Sequence, residues 1–270
     1  MTSKLVTLDA LAGEIAQGSL LAIPPDHAGP ALSATLALIR RGTGGLRLVT
    51  APAAGIQADL LIGAGAVASV ETAGIALGEY GQAGRFAAAV KAGGIQIKDA
   101  TCPALHAGFQ AAEKGVPFLP LRGILGTDLL ASRPDWKVIQ NPFADGPDPI
   151  VLLPAIQPDV ALFHAPLADE AGNVWIGTRR ELITLAHASR ATLVTAEALY
   201  PGDLLSDPAL ASGTLPHLYV TRIALVPGAT WPLPFEGGGG DEQALARYAE
   251  ASRNAAAFAA LLKEWLDARA

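Results

Sequence analysis

The sequence predicts an α/β protein with an open, mainly parallel sheet, helices on both faces and a helical extension at the C-terminus. Three observations predict this class. Apolar strand-like segments alternate three times with helix-like segments between residues 20 and 119, which is typical of parallel sheets. Val160–Phe163 is an apolar run of the kind found in strands that are covered on both faces. From Glu242 to Ala268, apolar residues recur at helical spacing.

The first part of the chain predicts a helix and then a strand–helix–strand unit, which implies a parallel sheet. Gly18 and Gly42 follow the two predicted helices, as glycine commonly does after a helix C-terminus. The predicted elements are a helix with Leu8, Leu11 and Ile15, a strand at Leu20–Ile23, a helix with Leu32, Leu36 and Ile39, and a strand at Leu46–Thr50.

Gly63–Ala68 formally matches the G-x-G-x-x-A fingerprint of dinucleotide-binding folds. That fingerprint requires a helix after the glycines, whereas Val67–Thr72 has the pattern of a strand. We therefore set a nicotinamide cofactor aside.

The remaining elements follow from the same signals. Thr101-Cys102-Pro103 predicts the start of a helix, and Leu121–Leu130 predicts an irregular segment. The other predicted elements are a helix at Arg85–Lys91, strands at Ile95–Lys98, Val116–Leu119 and Ile150–Leu153, a helix ending near Ser189, strands at Ala191–Thr195 and Leu218–Val226, and one final helix at Glu242–Ala268.

Composition excludes several classes of protein. The net charge is −6 and there is no basic cluster, which disfavours nucleic acid and anionic membranes as partners. No apolar run reaches the roughly 18 residues of a membrane span. Cys102 is the only cysteine, so we expect neither an intrachain disulfide nor a zinc cluster. The first residues lack the apolar core of a signal peptide, and we expect a cytoplasmic protein. Charged residues make up only 16%, which indicates that part of the surface is covered in an oligomer.

The segment Pro158–Gly177 carries the most specific motif. Its pattern predicts a strand ending at His164, a turn at Asp169–Asn173 and a second strand at Val174–Ile176. This unit resembles a signature of the α-type subunit of family I coenzyme A-transferases, and the resemblance extends from about residue 4 to about residue 230. It is closest to the glutaconate CoA-transferase branch. The other matching segments are Ala58–Gly63 with Val70–Ala73, Pro117–Gly123 with Gly126–Leu129, and Asn141-Pro142-Phe143.

The resemblance implies an α-type subunit that moves CoA between an acyl-CoA thioester and a small carboxylic acid. It implies a CoA thioester as substrate, no tightly bound cofactor, and a separate β-type subunit that carries the nucleophilic glutamate in a Ser-Glu-Asn-Gly setting. This chain contains no such stretch. We expect a CoA-transferase domain at residues 1–240 and a C-terminal helix at 241–270 that packs on this domain or on a partner.

Two departures from the family pattern leave alternatives open. The family's glycine-rich turn after the first strand is replaced by Pro24-Pro25, and proline offers no amide donor. Its Ser-Glu-Gly segment is replaced by Thr101-Cys102-Pro103. The alternatives are a CoA-thioester hydrolase or ring-cleavage relative, and a non-catalytic acyl-CoA-binding scaffold. A sugar-phosphate isomerase relative is disfavoured because no Ser/Thr-rich phosphate loop is visible.

No catalytic residue can be named from the sequence, and no metal is expected. The candidates for binding substrate or CoA are His27, Gly29, Cys102, Arg122 and His164. We expect the loops Pro24–Gly29, Thr101-Cys102 and Leu121–Asp128 to converge at one edge of the sheet. Glu71 and Glu79 are the carboxylates expected near that cleft. Four of the five binding candidates also have a structural interpretation: a solvated loop for His27, a buried apolar contact for Cys102, an ion pair with Asp128 for Arg122, and a backbone hydrogen bond for His164.

Overall fold

Most of the strands form one large sheet. Within residues 4–269, which a computed structural model describes, nine strands make up this sheet and three more make up a second, smaller sheet. The strands are β1 (Leu20–Ile23), β2 (Leu46–Thr50), β3 (Val67–Thr72), β4 (Gln96–Asp99), β5 (Phe118–Leu121), β6 (Lys137–Gln140), β7 (Pro149–Pro154), β8 (Val160–Asp169), β9 (Val174–Trp175), β10 (Ala191–Tyr200), β11 (Thr214–Leu215) and β12 (Arg222–Leu225). The helices are α1 (Leu8–Gly13), α2 (Leu32–Arg40), α3 (Ile56–Gly63), α4 (Gly84–Ala92), α5 (Cys102–Glu113), α6 (Leu129–Ser132), α7 (Arg180–Ala188), α8 (Glu242–Ser252) and α9 (Ala255–Ala268).

The large sheet is mainly parallel, as the alternation of strands and helices predicts. β12, β10, β8, β1, β2, β3 and β4 lie side by side in parallel. β10 pairs with the whole length of β8, while β1 and β9 share the other edge of β8. The β8–β9 pair is the predicted hairpin, and its strands are antiparallel.

Both faces of the sheet are covered, so alternate residues of one strand enter different cores. Leu21 and Ile23 of β1 belong to the core under α2 and α3, whereas Ala22 belongs to the core under α5 and α7. Burial on both sides explains why these strands are continuously apolar in sequence. No helix in residues 4–269 has the length and apolar character that crossing a bilayer requires.

The predicted strands at Val116–Leu119 and Ile150–Leu153 are strands, but they lie outside the parallel sheet. As β5 and β7 they form an antiparallel sheet with β6, which the sequence did not predict. Pro120 lies within β5 and cannot donate a backbone hydrogen bond, so β5 occupies an edge of the small sheet.

Three further predictions are wrong in their boundaries. The helix predicted with Leu8, Leu11 and Ile15 ends at Gly13, so Ile15 and Gly18 lie beyond it. The strand predicted at Leu218–Val226 is limited to β12, because His217–Tyr219 forms a 3₁₀ turn. The final helix is two helices, α8 and α9. Asn254 between them has an extended backbone, and its side chain accepts hydrogen bonds from the amides of Ala256 and Ala257. The asparagine therefore starts a new helix instead of continuing the first.

The two C-terminal helices pack on the core under α2 and α3. Tyr248 of α8 stacks against Trp265 of α9, with ring centroids 5.5 Å apart, and both side chains are buried. The Tyr248 hydroxyl donates a 2.8 Å hydrogen bond to Oδ2 of buried Asp59 in α3. Burial raises the pKa of Asp59, while hydrogen bonds from the Phe86 amide and the Tyr248 hydroxyl oppose this rise.

Replacing Tyr248 by phenylalanine is expected to lower the free energy of unfolding by about 1–3 kcal/mol, since the buried Asp59 oxygen would lose its donor. Urea denaturation measures the change. Tyr200→Phe is the matched control, because the Tyr200 hydroxyl also donates to a carboxylate, that of Asp207, but in a pair that is partly exposed to solvent. A loss in Tyr248→Phe no larger than in Tyr200→Phe would contradict this assignment.

Candidate functional site

A cavity of about 770 Å³ opens at the carboxyl edge of the parallel sheet. Its walls come from residues 25–27 after β1, 53–56 after β2 and 74–80 after β3, with residues 233–234 and two side chains of α8 closing one side. In open α/β sheets, ligands bind beyond the carboxyl ends of the strands. This cavity is therefore the candidate functional site.

The walls of the cavity are mainly apolar, and their charged groups are acidic. Ile75, Leu77, Leu233 and Leu245 supply much of the apolar surface. Among the described residues that line it there is neither a lysine nor an arginine. The polar side chains that line it are those of Asp26, His27, Glu79, Tyr80 and Tyr248.

Asp26 is the most unusual of these side chains. Its Oδ2 accepts a 3.2 Å hydrogen bond from the Ile56 amide at the start of α3. Its Oδ1 is buried and has no hydrogen-bond partner within residues 4–269. Gly55 permits this approach, because a Cβ there would collide with the carboxylate. Burial raises the pKa of Asp26 to about 6; the Ile56 amide opposes the rise and the charge of Asp59 adds to it.

The sequence predicted other carboxylates for this cleft. Glu79 does line the cavity, but Glu71 lines a separate cavity of about 300 Å³ and pairs with Arg133. Asp26 was not predicted as a site residue. Its place in the loop after β1 gave no local sign of burial, which arises only when α3 packs against the loop.

His27 and Gly29 follow in the same loop and have different environments. His27 is the one predicted candidate among the residues that line the cavity. Its ring is largely exposed, and Nε2 lies 3.6 Å from Oε1 of Glu181 in α7. Gly29 has a φ of +84°. Its carbonyl accepts a 2.7 Å hydrogen bond from the His164 amide, so Gly29 joins this loop to β8.

His164 lies in the middle of β8, not at its end as predicted. The strand continues to Asp169 because β10 pairs with it as far as Tyr200. The imidazole is buried, with Nδ1 2.9 Å from Thr195 Oγ1 and Nε2 3.1 Å from Glu197 Oε2. Burial lowers the pKa of His164 to about 4, although the charge of Glu197 opposes this shift. The ring is therefore neutral at pH 7, and both of its nitrogens contact side chains of the protein.

Cys102 and Arg122 do not line this cavity. Cys102 begins α5, as predicted, but its side chain is exposed and not a buried apolar contact. Arg122 forms a two-pronged ion pair with Asp148 at 3.0 and 2.5 Å, not with Asp128. It follows β5 of the small antiparallel sheet, which explains why its loop is not at the carboxyl edge of β1–β3. Of the three loops predicted to converge, only Pro24–Gly29 therefore contributes to the walls of this cavity.

The smaller cavity contains a buried ion-pair cluster. Arg133 is only 3% exposed and contacts Glu71 at 2.6 Å and Asp135 at 2.9 Å. Its guanidinium also lies 4.1 Å from the ring centroid of Trp136. Two carboxylates and an aromatic ring therefore surround this cation, and the cluster joins β3 to the segment before β6.

Comparison with known proteins identifies several relatives, although no family model matches the chain. The A subunit of 3-oxoadipate CoA-transferase from Pseudomonas knackmussii is 31% identical over 202 residues, covering 72% of this chain and 68% of that protein. The A subunit of glutaconate CoA-transferase from Acidaminococcus fermentans is 30% identical over 233 residues, covering 79% and 72%. An uncharacterized protein of Archaeoglobus fulgidus is 32% identical over 199 residues, and the match covers 72% of this chain but only 43% of that longer relative.

A solved structure extends this similarity to nearly the whole fold. The crystal structure of glutaconate CoA-transferase from Acidaminococcus fermentans superposes with a TM-score of 0.89 at 28% sequence identity. The superposition covers 98% of this chain and 89% of that one. The large parallel sheet that carries the cavity at its carboxyl edge is therefore shared with that enzyme.

Proposed function

This chain belongs to the family of CoA-transferase A subunits, and we propose that it works as the A-type component of an enzyme that moves CoA between an acyl-CoA thioester and a carboxylic acid. The observation that carries this proposal is the 770 Å³ cavity at the carboxyl edge of a sheet that superposes on a glutaconate CoA-transferase. Its volume lies in the range of small-molecule sites, which is about 300–1,000 Å³.

The proposal includes a separate β-type subunit that supplies the nucleophile. In the expected chemistry, a glutamate carboxylate attacks the thioester carbonyl and displaces the CoA thiolate, forming a mixed anhydride. The thiolate then attacks the glutamyl carbonyl, which releases the acid and leaves a glutamyl-CoA thioester for the acceptor. Of the described residues lining the cavity in this chain, Asp26 and Glu79 carry carboxylates, and neither is set in a Ser-Glu-Asn-Gly motif.

Exposed apolar side chains also support a partner. Phe143 is 94% exposed and Leu218 is 77% exposed in this chain. Contact with another protein chain would stabilise the complex at these positions, because it removes their apolar surface from water.

We expect the purified chain alone to show no CoA transfer from hexanoyl-CoA to acetate, and a complex with a co-purifying subunit to show it. Tandem purification of native protein followed by chromatographic assay of acetyl-CoA makes the measurement. The variant Glu79→Gln of the isolated chain tests whether Glu79 itself acts as the nucleophile. Transfer by the chain alone that Glu79→Gln abolishes would contradict the division of the site between two subunits. Absence of transfer in both samples, with hexanoyl-CoA still bound, would favour a non-catalytic scaffold.

A further inference from the structure

We propose, on the basis of the function proposed above, that the cavity receives an uncharged and predominantly apolar acyl group. Asp26 is the specificity-determining residue that excludes acyl groups with a second carboxylate. The substrate class is therefore a CoA thioester of an apolar acid and not of a dicarboxylic acid.

The charge of the walls is the first reason. Asp26 and Glu79 both line the cavity, and the described lining contains neither lysine nor arginine to pair with an incoming carboxylate. A carboxylate that loses water must find a cation or several hydrogen-bond donors, or its binding becomes unfavourable. Here it would meet negative charge instead.

The same charges determine which end of the CoA thioester enters. The nucleotide end of CoA carries phosphates, so acidic walls repel it, while the acyl group lies at the opposite end of the molecule. Side chains such as Ile75, Leu77 and Leu233 give that end an apolar surface. Burial of apolar surface is favourable in proportion to its area.

The carboxylate of Asp26 is held in place to act on the ligand. Its Oδ2 is fixed by the Ile56 amide at 3.2 Å, and its Oδ1 is the buried oxygen without a partner among the described residues. A buried oxygen of this kind attracts a hydroxyl or amide donor of a ligand and repels an oxygen that can only accept. It therefore discriminates between neutral and anionic groups at the same position.

Protonation of Asp26 must weaken this discrimination. With a pKa of about 6, Asp26 is protonated in about 3% of molecules at pH 7.5 and in about three quarters at pH 5.5. A ligand carboxylate that requires the protonated form loses affinity in proportion to that fraction, so lowering the pH removes the penalty. The other titratable groups near Asp26 are His27 in its own loop, Asp59 in α3, Glu79 and Tyr80 after β3, and Tyr248 in α8.

Calorimetric titration of the full chain with hexanoyl-CoA and adipoyl-CoA tests the proposal. The two probes have six acyl carbons each and share the whole CoA moiety, so their difference reports the distal carboxylate. At pH 7.5 we expect hexanoyl-CoA to bind at least tenfold more tightly. In Asp26→Asn we expect the ratio of the two affinities, hexanoyl-CoA over adipoyl-CoA, to fall at least fivefold. The fall should come from tighter binding of adipoyl-CoA, while the affinity for hexanoyl-CoA changes by less than threefold. Asp9→Asn, an exposed carboxylate in α1, is the matched control and should leave both affinities unchanged.

The same titration of the unmodified chain at pH 5.5 gives an independent measure that needs no variant. We expect the ratio to fall by roughly 25-fold between pH 7.5 and pH 5.5, as the change in the protonated fraction predicts. In Asp26→Asn the ratio should not depend on pH. A pH dependence that persists in Asp26→Asn would assign it to another group of the cavity and would overturn the role of Asp26.

The outcomes separate this proposal from the function on which it rests. Adipoyl-CoA binding as tightly as hexanoyl-CoA at pH 7.5 would overturn the specificity, while the bound thioester would still support the proposed function. No binding of either thioester, by the chain or by its complex with a co-purifying subunit, would overturn both.

Discussion

Alanine at position 29 is expected to destabilise the protein by about 2–5 kcal/mol. Gly29 has a φ of +84°, a conformation that costs a residue with a Cβ roughly 1–2 kcal/mol. The added Cβ would also collide with the backbone carbonyl oxygen of His164 and lie 3.0 Å from Cε2 of Phe235. Overpacking of this kind costs a further 1–3 kcal/mol or so, because backbone cannot move aside as a flexible side chain can.

Gly65→Ala separates the two contributions. Gly65 also has a positive φ, +73°, but a Cβ there has nothing within 4 Å. Urea denaturation of both variants should therefore show the backbone cost alone for Gly65→Ala and a clearly larger loss for Gly29→Ala. Equal losses would show that the contact with His164 does not constrain position 29.

Replacing Arg133 by methionine is expected to lower the free energy of unfolding by about 3–5 kcal/mol, the usual cost of breaking a buried ion pair by removing one partner. The substitution would leave Glu71, whose side chain is only 15% exposed, without the cation that it contacts at 2.6 Å. Arg133 also donates to the Asp99 carbonyl at 3.0 Å, so β4 would lose a contact as well.

Arg122→Met is the matched control for this prediction. Arg122 also pairs with an aspartate, Asp148, but at the surface, where such pairs contribute little. Urea denaturation should show little change in Arg122→Met.

The Arg133 hydrogen bond lowers the pKa of Asp135. That part of the stabilisation is present above the ordinary pKa of an aspartate and is lost as the pH falls through the lowered value. The difference between wild type and Arg133→Met should therefore shrink in strong acid, and a difference that stays constant would contradict the role of the ion pair.

Local signals in the sequence were sufficient for the strands of the parallel sheet and for most of its helices. The continuous apolar strands, Gly42 after α2 and the capping residue Thr101 each act within a few residues of their own position. Thr101 does accept from the Ala104 amide at the start of α5, and Gly42 does follow the end of α2 with a φ of +70°. The hairpin β8–β9 was predictable for the same reason, since Asp169, Gly172 and Asn173 determine its turn locally. The hairpin together with the other matching segments, which occur in the order found in CoA-transferase α-type subunits, was sufficient to predict the family.

The functional site depended on contacts between residues that are distant in sequence. Asp26 has no local feature that distinguishes it from a solvated loop aspartate, and it becomes a buried carboxyl only because α3, thirty residues later, packs its first amide against it. His164 lies within a strand and not at its end because β10 continues to pair with β8. Arg122 pairs with Asp148 because β5 joins β7 in a separate sheet. The sequence by itself determined the strands of the parallel sheet and most of its helices, since those preferences are local. The tertiary structure alone decided which side chains lose water and which find partners, because desolvation and pairing depend on neighbours from elsewhere in the chain.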